Sequence, residues 1–296
     1  MLALPGWVVG HSAGKMPDQR AQLCPFCRGL NSAGERRCYR CGRPLPGPLA
    51  SGVIGYFRNA FSGDAPATRA LLGLCVLVCG LSVASDHKLP IWISDQFSIS
   101  TMFRFGGLFG PLGQLEPWRY LAAVFIHANV LHIAMNGWAL SSVGPAAERQ
   151  FGSARFVVLF MLSGILGFVA SDQWYGGSGP PTVGASGAIF GAFGSVIGVA
   201  YARRDPNWKQ ILIQNVVNLA ILGLMFPVNN AAHVGGLVTG ALLGFLFSKE
   251  RRELRLGGVF VALAVILAVL APVSILLSNA SPIWRMQRAA EVSREP

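Results

Sequence analysis

Charge is scarce in this chain. Of its 296 residues only 12% are Asp, Glu, Lys or Arg, where a soluble domain carries about 25%. Carboxylates are the scarcer sign, 13 against 24 Lys and Arg, and cysteine is limited to six. The shortage of charge excludes an ordinary soluble surface. Between Asp172 and Glu250 the single acidic residue is Asp205, so a Ser-His-Asp arrangement in that stretch is excluded as well. Residues 2–10 lack a preceding basic residue and are broken by Pro5 and Gly6, so they are not expected to act as a secretory signal peptide.

What is abundant is apolar: 52% of the residues, with mean hydropathy +0.49. Runs of about 20 mostly apolar residues are the mark of membrane-spanning helices. Seven are read, at 70–85, 118–143, 154–171, 184–202, 209–226, 231–248 and 256–278. The formal charge of +11 needs no nucleic acid to explain it. Arg58 and Arg69 precede the first run, Arg149 and Arg155 follow the second, Arg203, Arg204 and Lys209 follow the fourth, and Lys249, Arg251, Arg252 and Arg255 follow the sixth. Alternate loops are basic, the positive-inside pattern, which predicts a cytoplasmic N-terminus. With seven spans, Arg285, Arg288 and Arg294 then fall outside, against the trend.

Four of the six cysteines form two C-x-x-C pairs, Cys24/Cys27 and Cys38/Cys41. Two such pairs suit a tetrahedral structural zinc ion, and a segment this small has no adequate core without a metal or crosslink. A disulfide reading conflicts with a reducing cytoplasm. Cys27, Asn31, Cys38 and Cys41 resemble the short zinc fingers of the Ran-binding-protein type, although Gln22 and Leu23 stand where that family places a tryptophan. Arg28, Arg36, Arg37, Arg40 and Arg43 favour a solvated basic surface over contact with RNA or acidic lipid, and leave a cytoplasmic ligand of the module as the remaining partner expectation. Residues 43–68, rich in Pro, Gly and Ser, read as a flexible linker; Cys75 and Cys79 read as packing residues.

Polar side chains inside spans are costly and tend to be functional. His132 and Asn136 are four apart and share a helix face; His127 lies off it and reads as structural. Ser186 heads one apolar run in Gly184-Ala185-Ser186-Gly187, and His233 heads another. Behind them run glycine stripes, Gly187, Gly191, Gly194 and Gly198 on one, Gly236, Gly240 and Gly244 on the other. Such stripes let helix backbones approach closely in lipid. If the stripes meet, a serine and a histidine share one end of a helix pair, a nucleophile beside its base.

These residues resemble the rhomboid intramembrane serine proteases. Glu116-Pro117-Trp118-Arg119 with Phe125-Ile126-His127 is similar to that family's W-R region and the start of its second helix. His132 and Asn136 match H-x-x-x-N. Gly144, Glu148-Arg149 and Gly152 match the G-x-x-x-E-R-x-x-G loop, Gly184-x-Ser186-Gly187 matches G-x-S-G, and Ala232-His233 with its glycines matches the histidine helix. The resemblance implies Ser186 as nucleophile and His233 as general base, with His132, Asn136 and the Ser186 backbone N–H around the oxyanion. Phe190 stands where some members carry a tyrosine packed on the histidine. Activity would need no catalytic cofactor.

The expected fold is an all-α polytopic membrane protein: an N-terminal tail (1–23), a zinc-binding module (24–42), the linker (43–68), a six-helix core (69–248), a basic loop (249–255), a seventh helix (256–278) and a C-terminal tail (279–296). Leu89 to Leu115, with Trp92, Phe97, Phe103, Phe105 and Phe109, reads as an interfacial loop with aromatics at headgroup level, anchored by Trp118 and Arg119. The expected partners are the bilayer and transmembrane substrates that unwind readily, and the expected place is a bacterial inner membrane. The alternative is a catalytically silent relative that binds membrane clients. A transporter is disfavoured, because no repeated pair of broken helices is visible.

Overall fold

A computed structural model describes residues 22–24, 29–32, 35–45, 64–86, 95–110, 112–176, 178–179, 181–225, 229–249 and 256–294, without the side chains of 22, 23 and 218–225. The chain divides into two units, 1–60 and 61–296.

In the first unit β1 (Gln22–Leu23) pairs antiparallel with β2 (Leu30–Asn31). A second small turn closes where Arg37 pairs with Pro44, and Leu45 N–H donates to Arg36 O at 2.8 Å. Asn31 joins the two turns: it is 2% exposed, donates to Gly29 O at 2.8 Å and accepts Tyr39 N–H at 3.1 Å. Among the described residues of this unit the buried hydrophobic cluster consists of Cys24, Cys38 and Leu45.

The second unit is helical. Its elements are α1 (Pro66–Ser85), α2 (Ile99–Phe105), α3 (Leu112–Leu115), α4 (Arg119–Ala122) running into a 3-10 turn (Ala123–Phe125), α5 (Val130–Phe151), α6 (Ser153–Tyr175), α7 (Ser186–Ala202), α8 (Trp208–Met225), α9 (Asn230–Lys249), α10 (Gly257–Ala280) and α11 (Ile283–Val292). Among the described residues α1, α6, α9 and α10 are each long and apolar enough to cross a membrane, and the bent pair 119–125 with 130–151 makes a fifth. The chain is an integral, multi-pass, all-α membrane protein.

Helix α7 is different. Its 17 residues reach about 26 Å at 1.5 Å per residue, short of a hydrocarbon core of about 30 Å. Thirteen of them are buried, against α9, α6 and α5. A helix walled in by others over most of its length need not match the lipid.

Four boundaries differ from the expectation. Helix α1 begins at Pro66, within the segment read as linker. The cause is distant in sequence: the Glu148 carboxylate accepts the N–H groups of Ala67 (2.9 Å) and Thr68 (2.8 Å) and the hydroxyls of Thr68 (2.8 Å) and Ser153 (2.6 Å). An acidic cap suits the unpaired N–H groups of a helix start, and this one also fixes the turn between α5 and α6. The Gly144 to Gly152 motif is thus mostly helix, not loop, ending where Gly152 takes φ +81°. The second expected span is two pieces bent by 88°. Asn129 makes the break, its side chain accepting His132 N–H at 2.7 Å as the cap of α5.

The third difference concerns the loop before α4. Trp92 lies outside the described residues. Phe97, Phe103 and Phe105 are 2%, 8% and 6% exposed, so these rings face the protein interior rather than headgroups. Buried Arg119 draws the segment inward, its Nη1 donating to Phe103 O (2.8 Å) and Gly107 O (3.3 Å). Last, the expected C-terminal tail contains α11.

Candidate active site

Helices α7 and α9 are in contact through their backbones. A Cβ added at Gly236 would strike Gly187 O, one at Gly240 would strike Gly191 O, and one at Gly194 would strike Leu237 O. In the other direction a Cβ at Gly187 would sit 3.4 Å from Ala232 O. The two glycine stripes do meet, and packing this close requires a residue without a side chain on at least one side of each contact.

That approach sets the pair at the helix ends. Ser186 Oγ and His233 Nε2 are 2.7 Å apart. Ser186 is half-buried and His233 is 3% exposed. Phe190, one turn beyond the serine, lies on the imidazole with ring centroids 4.7 Å apart at 32°. The other ring nitrogen of His233, Nδ1, is buried with no hydrogen-bond partner among the described residues. Among the described residues no carboxylate orients this ring; the Phe190 face and the glycine contact do.

His132 enters from α5. Its Nδ1 accepts the Ala128 N–H at 3.4 Å, so in the neutral ring the hydrogen resides on Nε2. That donor faces the turn before Ser186: a Cβ at Gly184 would be 2.9 Å from His132 Nε2 and 3.8 Å from Ser186 Oγ. Gly184 takes φ +125° and donates its N–H to Ala123 O at 2.9 Å. A side chain there would be strained and would fill the space between serine and donor. Asn136 lies one turn along α5, buried, with one amide hydrogen on His132 O at 2.9 Å and the other not engaged in any contact to a described residue.

The start of α7 adds backbone donors. Ala185 stands at its N-cap position and makes no side-chain capping bond, so the first N–H groups of the helix, that of Ser186 included, have no intrahelical acceptor. Such a helix start accommodates negative charge. One alcohol and one base are therefore in contact at the start of α7, with His132 Nε2 facing the same turn across Gly184.

Asn229 belongs to the same region and was not anticipated. Its Nδ2 donates to Ser171 Oγ (2.6 Å) and Thr182 Oγ1 (2.8 Å), and its Oδ1 accepts Ala232 N–H (3.0 Å), capping α9 one turn before His233. An Asn just ahead of an apolar run is a cap signal, so the clue was present. His127 is 1% exposed, its ring packed edge-on against His132 at 5.0 Å between centroids, away from the serine.

In the first unit, Sγ atoms of Cys24, Cys38 and Cys41 all lie within 4.8 Å of one another, with Cys24 and Cys41 3.6 Å apart. Thiolates bound at about 2.3 Å to a tetrahedral zinc ion are separated by about 3.8 Å, so the spacing fits such a site. Cys27 lies outside the described residues.

Comparison with known proteins follows the same lines. The rhomboid domain model matches residues 114–250, which contain His132, Asn136, Ser186 and His233. Rhomboid protease GluP of Bacillus subtilis is 37% identical over 133 residues, 44% of this chain and 26% of that protein. RHOMBOID-like protein 5 of Arabidopsis thaliana is 31% identical over 209 residues, 68% of this chain and 66% of its own length. Rhomboid protease GlpG of Klebsiella pneumoniae is 27% identical over 261 residues, covering 83% of this chain and 86% of that one. The chain spans only 26%, 35% and 34% of three further-reaching relatives, GluP and RHOMBOID-like proteins 1 and 4. The domain match, these similarities and the helical membrane architecture together place the chain in the rhomboid family.

Proposed function

We propose that this protein is an intramembrane serine endopeptidase that cleaves transmembrane segments with a Ser186–His233 dyad. The 2.7 Å contact between Ser186 Oγ and His233 Nε2, held by two glycine-bearing helices, carries the reading. As Ser186 Oγ attacks the scissile carbonyl, its proton passes to His233 Nε2. The carbonyl oxygen takes up the negative charge, met by the Ser186 N–H, His132 Nε2–H and the second hydrogen of Asn136 Nδ2. His233 then returns the proton to the departing amine as the peptide bond breaks. Water, deprotonated by the same imidazole, releases the second product from Ser186. All of this needs water, and a polar cavity among helices would supply it without exposing backbone to hydrocarbon.

A fluorophosphonate probe tests the reading. It should label Ser186 in the wild type and fail to label the His233→Ala protein. Absence of labelling in folded wild type would instead favour a catalytically silent, client-binding relative. Asn136→Ala removes one oxyanion donor, for a loss of about 2.7–4 kcal/mol, or roughly 10²–10³-fold in kcat; kcat within a few-fold of wild type in reconstituted vesicles would remove Asn136 from that role.

The positive-inside pattern supports a cytoplasmic N-terminus, with the serine toward the external face; the membrane we propose is a bacterial inner membrane. Substrates are single spans that unwind near that face, where Gly or Pro lowers the cost of leaving the helix. Cys24, Cys27, Cys38 and Cys41 would hold a structural zinc ion, which would add cohesion to the small cluster of Cys24, Cys38 and Leu45. Elemental analysis should find about one zinc per chain, and Cys38→Ser should lose it. Since Ser186 chemistry makes no use of the metal, that variant should keep its rate of probe labelling.

A further inference from the structure

A series of polar contacts that the reaction does not use leads from the C-terminus to the turn before Ser186. Ser281, just after α10, donates its hydroxyl to Glu116 Oε1 at 2.7 Å, and both residues are buried. The other oxygen of Glu116 takes the Nε–H of Arg119. Arg119 in turn holds the carbonyls of Phe103 and Gly107. The next residue, Leu108, exchanges both backbone bonds with Thr182, at 2.8 and 3.2 Å. Thr182 lies two residues before Gly184, and its hydroxyl accepts from Asn229, the cap of the His233 helix.

The tip of the chain grips the same loop. Glu291 on α11 accepts Ser100 N–H at 3.1 Å with one oxygen and Ser100 Oγ–H at 2.6 Å with the other. Arg104 stacks over the Trp284 ring at 5.0 Å. Ser278 on α10 closes the gap from within, since a Cβ at Gly106 would stand 2.8 Å from its hydroxyl. An amphipathic helix that served only to float on lipid would leave its carboxylate to water. Here that carboxylate is spent on a second segment, and the buried Glu116 has each oxygen satisfied by a different element.

We propose that Ser281 and Glu291 are positioning residues: they clasp residues 97–110 and thereby fix Thr182 and the Gly184–Ser186 turn. The proposal rests on the reading of Ser186 and His233 as the reacting pair. In this protein the seventh helix and α11 are then part of the catalytic architecture, holding the serine turn in register with its oxyanion donors.

The test uses the full chain in lipid vesicles, with Ser281→Ala, Ser281→Thr and Glu291→Gln. Three quantities are read: cleavage of a membrane-embedded substrate per probe-titrated serine, the rate of fluorophosphonate labelling, and amide exchange over 97–110 and 181–185. Ser281→Ala and Glu291→Gln should lower kcat about tenfold with KM within about twofold, the pattern of an interaction expressed in the transition state. Labelling should slow in parallel and exchange should quicken in both segments, while Ser281→Thr, which keeps the hydroxyl, restores all three. Normalising to titrated sites separates misplacement from a simple loss of folded protein. If Ser281→Ala does not fold, the half-buried Glu291→Gln decides. Wild-type kcat, labelling and exchange in Glu291→Gln overturn the proposal. A wild type that neither cleaves nor labels strikes the dyad instead, and the exchange measurement still judges the clasp.

Discussion

Ser186→Ala is expected to reduce cleavage of a membrane-embedded substrate to background. Removing the hydroxyl removes the alcohol in contact with His233, and with it the covalent step. In serine hydrolases the loss of the nucleophile costs about 10⁶ in kcat, and what survives comes from the oxyanion donors and substrate binding alone. The same argument makes His233→Ala nearly as severe, because Ser186 is a weak nucleophile until a base within hydrogen-bond reach takes its proton. Combining the two should cost little more than either one, since each disables the same step. Comparable cleavage by Ser186→Ala and wild type would refute the assignment outright.

Gly240→Ala is expected to be the most damaging small change away from the chemistry. One methyl group at this position would overlap the Gly191 carbonyl, which is backbone and cannot rotate aside. Helices α7 and α9 would have to part. Overfilling a packed interior usually costs about 1–3 kcal/mol, and a backbone clash belongs at the upper end. The catalytic loss should exceed the stability loss, because separating the helices withdraws His233 from Ser186, and a displacement of about 1 Å can cost roughly 10²-fold. Gly73→Ala supplies the control. It too places alanine in an apolar helix, but nothing lies within 4 Å of its new Cβ, so stability should hold or rise slightly. Thermal unfolding and cleavage measured on the two variants check the claim; equal behaviour would remove the glycine contact as the feature that sets the site.

Much of this was legible because lipid makes sequence speak locally. Apolar runs must be helices where the backbone has no other partner, and six of the expected spans land on single helices within a few residues. The pairing of Ser186 with His233 was readable for a related reason: two glycine stripes at helical spacing have few uses besides mutual contact. Glu148 was visible as one acidic residue amid apolar sequence, yet its role as the cap of α1 was not, since its acceptors bind N–H groups some 80 positions away. The bend at Asn129 was hidden in an apolar stretch that reads as one span, because a cap and a polar core residue look alike until the chain direction is known. The inward turn of Phe97, Phe103 and Phe105 escaped for the same cause. Aromatics near a membrane surface suit headgroups and protein interiors equally, and only Arg119, buried with the carbonyls it holds, selects the interior.

Composition, hydropathy period and small-residue spacing settled the class of fold and the two helices that bring the alcohol to the base, because each is a property of neighbours along the chain or of one helix face. The tertiary structure alone decided how His132 comes to face Gly184, how Asn229 caps the histidine helix, and how the C-terminal segment reaches Glu116 and Ser100. Those are hydrogen bonds between groups far apart in sequence, whose partners depend on direction and distance in space, and no periodicity along the chain encodes either.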